Sequence, residues 1–138
     1  MKVLLGSHGR FASGIKTSLE ILIGKEDANK LTVIDAYIDG NDVDAQLEDF
    51  FNNVDDSEQV LMLSDLYGGS VNQKMYLYLN RSNTYLVAGV NLAFVLEICM
   101  LDKVDSDTLE RIVEQARQMQ RVVYFDNTQE PGNEEEFF

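Results

Sequence analysis

Positive charge is scarce in this chain. Eleven lysines and arginines face 24 aspartates and glutamates, a formal net charge of −13 at pH 7. Such a surface repels phosphate backbones and anionic headgroups, which argues against nucleic-acid binding and direct docking on lipid. It favours a protein partner with a basic contact face. Cysteine is nearly absent. With Cys99 alone, no internal disulfide can form, which fits a reducing compartment. It lies in the apolar run LAFVLEICML and reads as a core residue. Histidine is as rare: His8 is far from Cys99 in the chain, so no metal-ligand set is expected. Long apolar runs are missing too. None approaches the ~18 residues that a bilayer-spanning helix requires. Only three strongly apolar residues separate Lys2 from Gly6, too few for a secretory signal. The expectation is a soluble, cytoplasmic protein.

What is present is a regular alternation. At 138 residues the chain reads as one domain over 1–126, followed by an acidic, mobile tail over 127–138. Short apolar runs at 3–5, 31–38, 60–63 and 84–88 read as buried strands. Helical periodicity falls between them, over 12–23, 42–51, 70–79 and 92–101. Asp42 and Asn91 are placed to cap two of these helices. A further helix begins at Ser106 and Asp107, and RVVYF (121–125) reads as a last strand. Alternation of this kind specifies a doubly wound α/β domain with a mainly parallel sheet. Two successive helices interrupt the rhythm before RVVYF. That strand is therefore expected antiparallel at an edge, covered or exchanged in a homodimer.

In open parallel sheets ligands bind beyond the carboxyl ends of the strands, where strand order reverses. With a flavodoxin-like order 2-1-3-4, His8 after strand 1 and Asp65 after strand 3 face one crevice. The loop SDLYGGSVNQK adds Gly68 and Gly69, which let the backbone turn sharply, and Ser70, which is read as a helix cap. GSHG contributes Ser7 and Gly9, with further amides beside the imidazole. Singly these are a stray histidine, a turn and a cap; their convergence on one sheet edge carries the argument. A titratable nucleophile, a carboxylate and an anion cradle suit phosphoryl transfer onto and off a histidine. A carboxylate on one ring N–H would fix the tautomer and sharpen the other nitrogen. Tyr67 is an aromatic at the mouth, able to cover the site or touch a partner. Asp35 and Asp39 are read as turn residues, and the glycines around Ser70 do not form a serine-hydrolase elbow.

Three segments, GSHGRFASGI, SDLYGGSVN and AGVNLAFVLE, resemble the IIA component of the mannose-class (mannose/fructose/sorbose) sugar phosphotransferase systems. Their order and spacing cover nearly the whole domain. The resemblance implies a doubly wound fold, a homodimer with an exchanged carboxyl-terminal strand, and a phosphotransferase without metal or organic cofactor. It implies that His8 takes a phosphoryl group on Nε2 from HPr and passes it to a separate IIB component. Contact with the membrane IIC and IID permease would be indirect. It further implies that Asp65 holds the other ring nitrogen and that Gly9, Gly68, Gly69 and Ser70 bind the phosphoryl group. Ser7, Tyr67 and Asn91 would play supporting roles. Many members carry proline where this chain has Val71 and Ala93; both positions fall in a first helical turn, where other residues also fit. The histidine alone leaves three alternatives open: a phosphoryl-donor subunit of a dihydroxyacetone kinase, a phosphohistidine-based regulatory module, or a structural interaction protein. The GGSVN and GVNL segments favour the sugar system.

Overall fold

A computed structural model describes residues 1–125. Four strands, β1 (Lys2–His8), β2 (Leu31–Ala36), β3 (Val60–Ser64) and β4 (Thr84–Ala88), form one parallel sheet in the order β2-β1-β3-β4. The helices are α1 (Phe11–Ile23), α2 (Lys25–Ala28), α3 (Val43–Asn52), α4 (Ser70–Tyr76), α5 (Leu92–Cys99) and α6 (Ser106–Arg117). The expected doubly wound architecture and strand order are both present.

The two central strands are apolar over residues 3–5 and 60–63 because both faces are covered there. Alternation then sorts their side chains between two layers. Val3, Leu5, Leu61 and Leu63 pack with α1, α5 and α6, while Leu4, Val60 and Met62 pack with α3 and α4. Cys99 is fully buried in the first layer, and burial pushes its thiol pKa up. It is core, not a nucleophile. Side-chain caps fix three helix starts: Asp42 Oδ1 accepts from the Ala45 amide, Asn91 Oδ1 from Phe94, and Asp105 Oδ1 from Thr108. The bond from the Thr108 amide also holds the Asp105 carboxyl below its ordinary pKa.

Several elements differ from the sequence reading. β1 runs on past Gly6 to His8, because its residues stay in register with β2 as far as His8 opposite Ala36. β2 stops at Ala36, since Tyr37 turns the chain with φ +66°. α4 gives way after Tyr76 to a 3₁₀ turn over Leu77–Asn80, and α5 ends at Cys99. Within the single chain the expected last strand is not formed. Residues 121–125 carry no regular secondary structure and are exposed, Phe125 at 85%. A strand exists only where its backbone joins a ladder. Among the described residues the sheet ends at β4. The acidic tail lies outside the described residues.

Gly6 sets how closely α4 approaches the sheet. A Cβ there would stand 2.8 Å from Val71 Cγ1 and 2.7 Å from Met75 Cε. The methionine end can swing away; the short, buried valine branch cannot. Gly6→Ala should therefore destabilise the domain by about 1–3 kcal/mol through overpacking. Urea unfolding checks this, and an unchanged midpoint would show that α4 can move outward freely.

Candidate functional site

The strand order reverses between β1 and β3, which both run toward the same edge and leave a crevice beyond their ends. His8 is the last residue of β1, and Asp65 follows β3 directly. Asp65 Oδ2 accepts from the His8 backbone amide at 2.9 Å and lies 3.0 Å from His8 Nδ1. Asp65 Oδ1 accepts from the Leu66 amide at 3.1 Å. A carboxylate only accepts, so Nδ1 carries a proton, and in the neutral ring Nε2 keeps the lone pair. The Asp65 side chain is 12% exposed and the imidazole 40%, so the pair is shielded on the Nδ1 side and open beyond it. Ser70 Oγ stands 3.4 Å from Nε2.

The loop joining β3 to α4 is shaped to admit the ring. Gly68 has φ +74°, which glycine adopts without strain. A Cβ on Gly69 would lie 3.3 Å from His8 Cε1 and 3.2 Å from Leu66 Cβ, so a side chain there would crowd the imidazole. Gly69, in extended conformation, is the N-cap of α4; Ser70 is the first helical residue. This corrects the reading of Ser70 as a cap. Its hydroxyl is directed to the site instead, because one step into the helix turns the side chain away from the first-turn amides.

Ser7 is fully buried. Its Oγ accepts from the Ala12 amide at 2.8 Å and donates to the Gly9 carbonyl at 3.2 Å. It thus closes the turn from β1 into α1 that a Gly9 φ of +58° begins. Asn91 lies after β4, but its side chain caps α5 and donates from Nδ2 to the Ala116 carbonyl at the end of α6. Its bonds join two helices and do not reach His8. Tyr67 is 90% exposed and lines a groove with residues of β4 and α6.

The ring beside the imidazole is Tyr37, a residue that sequence reasoning passed over. Its centroid lies 5.6 Å from that of His8, and its hydroxyl is 2.6 Å from Ser70 Oγ. The signal was partial: an aromatic near the end of a run read as strand, ahead of a turn-forming DGN. Ser64 and Asn72 were also missed. Ser64 is fully buried, and its Oγ bonds Asn72 Oδ1 at 2.9 Å, tying the end of β3 to α4. Asp35 accepts from the Ser13 amide and steadies the start of α1; Asp39 occupies a turn at φ +55°. Among the described residues no group of three or more histidines, cysteines and acids is gathered as metal ligands. No helix there is long and apolar enough to cross a membrane.

A histidine held by a carboxylate at a switch point narrows the family, and sequence comparison decides it. Residues 2–117 match the EIIA-man family, described as the fructose IIA component of the phosphotransferase system. The chain belongs to this family. Among solved structures it is similar to the mannose/sorbose-specific IIA subunit from Enterococcus faecalis. That match has 22% identity and TM-score 0.76, covering 93% of this chain and 98% of the other. It is also similar to the IIA protein associated with the fucose utilization operon of Streptococcus pneumoniae, at 28% identity and TM-score 0.69, covering 88% and 91%. A IIA component from Streptococcus agalactiae matches at 25% identity and TM-score 0.70, covering 90% and 96%. No curated protein matches the chain in sequence. The IIA fold is thus spanned almost completely, with His8 at the end of its first strand.

Ser7→Ala should loosen the approach to this IIA site. It strands the Ala12 amide, at a cost of about 1–3 kcal/mol. Amide exchange at Ala12 should quicken, and the urea midpoint should fall. Exchange as slow as in the parent would mean that another acceptor replaces the hydroxyl.

Proposed function

We propose that this IIA component is a histidine phosphoryl carrier of a mannose-class sugar uptake system. His8 accepts a phosphoryl group from phospho-HPr on Nε2 and hands it to a separate IIB component. The single observation that carries the reading is the fork of Asp65 onto the His8 backbone and Nδ1, which leaves Nε2 as the free nucleophile. In the transfer the lone pair of Nε2 bonds to phosphorus while the donor bond breaks and its pair stays with HPr. The Nδ1 proton remains on the ring, now cationic, and the Asp65 carboxylate balances that charge. Transition states of this kind spread charge over three oxygens, so positioning and nearby donors do most of the catalysis. Ser70 Oγ, together with the backbone of Gly68, supplies those donors; the Gly69 amide already donates to the Leu66 carbonyl at 3.2 Å, and Gly69 serves by leaving room for the ring. The Gly9 amide is taken up by the Ala36 carbonyl at 2.9 Å, so Gly9 shapes the loop on the other side and lends the phosphoryl group no amide of its own.

The carrier works in the cytoplasm, and it meets the membrane IIC and IID permease only through IIB. Its acidic surface, charge −13, suits partners with basic contact faces. Exposed Phe11, Leu66 and Tyr67, beside or between the site residues in sequence, offer the apolar part of such a contact.

The carrier is a homodimer that exchanges residues 121–125. Val122, Val123, Tyr124 and Phe125 are all more than half exposed in the single chain. A groove of about 860 Å³ follows the outer edge of β4, lined by Tyr85, Leu86 and Val87 among others. An apolar segment and an open strand edge on one molecule satisfy each other when two copies pair. Sedimentation should therefore give a dimer for the whole chain and a monomer after truncation at Gln120. A truncated protein that still sediments as a dimer would place the contact elsewhere.

The carrier chemistry is tested by mixing the protein with phosphoenolpyruvate, enzyme I and HPr and reading intact mass. One acid-labile phosphoryl group should appear, and none in His8→Ala. Asp65→Asn should slow the transfer about ten- to hundredfold, since the neutral amide no longer offsets the charged ring. A parent protein that takes no phosphoryl group from active phospho-HPr, or a His8→Ala variant that does, would overturn the reading.

A further inference from the structure

We propose that Tyr37 is a positioning residue for phosphoryl transfer at His8, acting through the hydroxyl of Ser70. The inference rests on the carrier function above and adds a part to its machinery. The geometry is a continuous line of polar groups. Asp65 holds Nδ1, Ser70 Oγ stands 3.4 Å from Nε2, and the Tyr37 hydroxyl lies 2.6 Å from Ser70 Oγ. Nε2 has a lone pair and no proton, so at rest the Ser70 O–H aims at it. The Tyr37 O–H then donates to Ser70 Oγ. A hydroxyl that accepts one bond becomes a stronger donor in the next.

When phosphorus bonds to Nε2, that lone pair is consumed. The Ser70 O–H must turn to a phosphoryl oxygen, a charged acceptor and a stronger one. The Tyr37 bond holds Ser70 Oγ in place through this change and keeps its lone pair occupied. Ser70 is exposed, so without Tyr37 its hydroxyl would be free to rotate toward water. The Nδ1 proton stays with the ring and Asp65, so no proton need leave the relay.

The backbone shows that Tyr37 is held there at a cost. Its φ of +66° is rare for a bulky residue. The turn that imposes it is fastened by one side chain. The Tyr37 amide donates to Asn41 Oδ1 at 3.1 Å, and Asn41 Nδ2 donates to the Asp35 carbonyl. The Gly9 amide bonds the preceding carbonyl, of Ala36, at 2.9 Å. The turn after β2 is thus tied to the His8 loop. Tyr37 is 53% exposed, so burial of its ring does not account for the conformation. Its ring lies tilted by 48° against His8 and flanks the imidazole.

The test compares the parent with Tyr37→Phe, Ser70→Ala and the double variant. Phospho-HPr serves as donor, and phosphoramidate as a second donor that needs no protein interface. Tyr37→Phe should lower the limiting rate of His8 phosphorylation about three- to tenfold with both donors. The half-saturating donor concentration and the thermal midpoint should stay within twofold and about 2 °C of the parent. In the Ser70→Ala background the same change should have no further effect. Equal limiting rates for parent and Tyr37→Phe, or an undiminished effect without Ser70, would overturn the relay and leave the carrier function standing. A parent that neither donor phosphorylates would instead remove the carrier reading, and this inference with it.

Discussion

One carboxylate oxygen organises the functional edge of this protein. Asp65 Oδ2 accepts from both the backbone amide and the Nδ1 of His8, at 2.9 and 3.0 Å. The first bond fixes where β1 ends relative to β3, the second how the imidazole is turned. A single acceptor for both makes strand position and ring orientation one variable. That coupling matters because the β1–β3 ladder is in register only to Gly6 opposite Ser64. Beyond that pair the strands diverge to open the crevice, and the Asp65 fork replaces the ladder bonds that end there.

Around the fork, small buried polar groups do what a longer ladder would otherwise do. Ser7 holds the turn leaving β1, and Ser64 with Asn72 holds the turn leaving β3. Both serines are fully buried and both are hydrogen-bonded, so neither burdens the core with an unpaired polar atom. The result is a solvent-facing imidazole carried on a rigid base. Phosphoryl transfer gains from such a base, since its catalysis is chiefly positioning.

Much of this was legible in the sequence, for identifiable reasons. Buried parallel strands are apolar runs, so four strands could be read from VLL, LTVIDAYI, VLML and TYLVA, whereas their order followed only from supposing a flavodoxin-like topology. His8 and Asp65 were legible because topology sends residues after the first and third strands to the same crevice. RVVYF has the composition of a strand, but a strand forms only on a ladder partner, and among the described residues of the single chain the sheet ends at β4. Ser70 was misread by one position: serine and glycine are both good caps, and backbone conformation alone assigns the role to Gly69. Asn91 was correctly read as a cap, but its bond to Ala116 is tertiary and has no local signature. Tyr37 escaped for a related reason. Its importance comes from a left-handed backbone that propensity assigns to glycine or asparagine, and from a contact across 33 positions of chain.

Val71 shows how the sequence can depart from its family without loosening the site. By the resemblance, proline is common at this second residue of α4, where it would preset the backbone. Valine supplies no such constraint, yet the start of α4 is fixed here by packing. Val71 is almost completely buried, and its Cγ1 fills the space above Gly6 that any larger residue would claim. Met75, one turn on, meets the same glycine. The helix is thus anchored to β1 through side chains, two residues before that strand delivers His8. A β-branched residue is well suited to this, since its restricted rotamer loses little entropy on burial. Anchoring α4 on β1 also fixes Ser70 against His8, because Ser70 lies one residue before Val71 and His8 two beyond Gly6 on the elements so joined. The registry that the proposed transfer needs is therefore set by a contact between two apolar groups beneath the site, and the polar residues above inherit it.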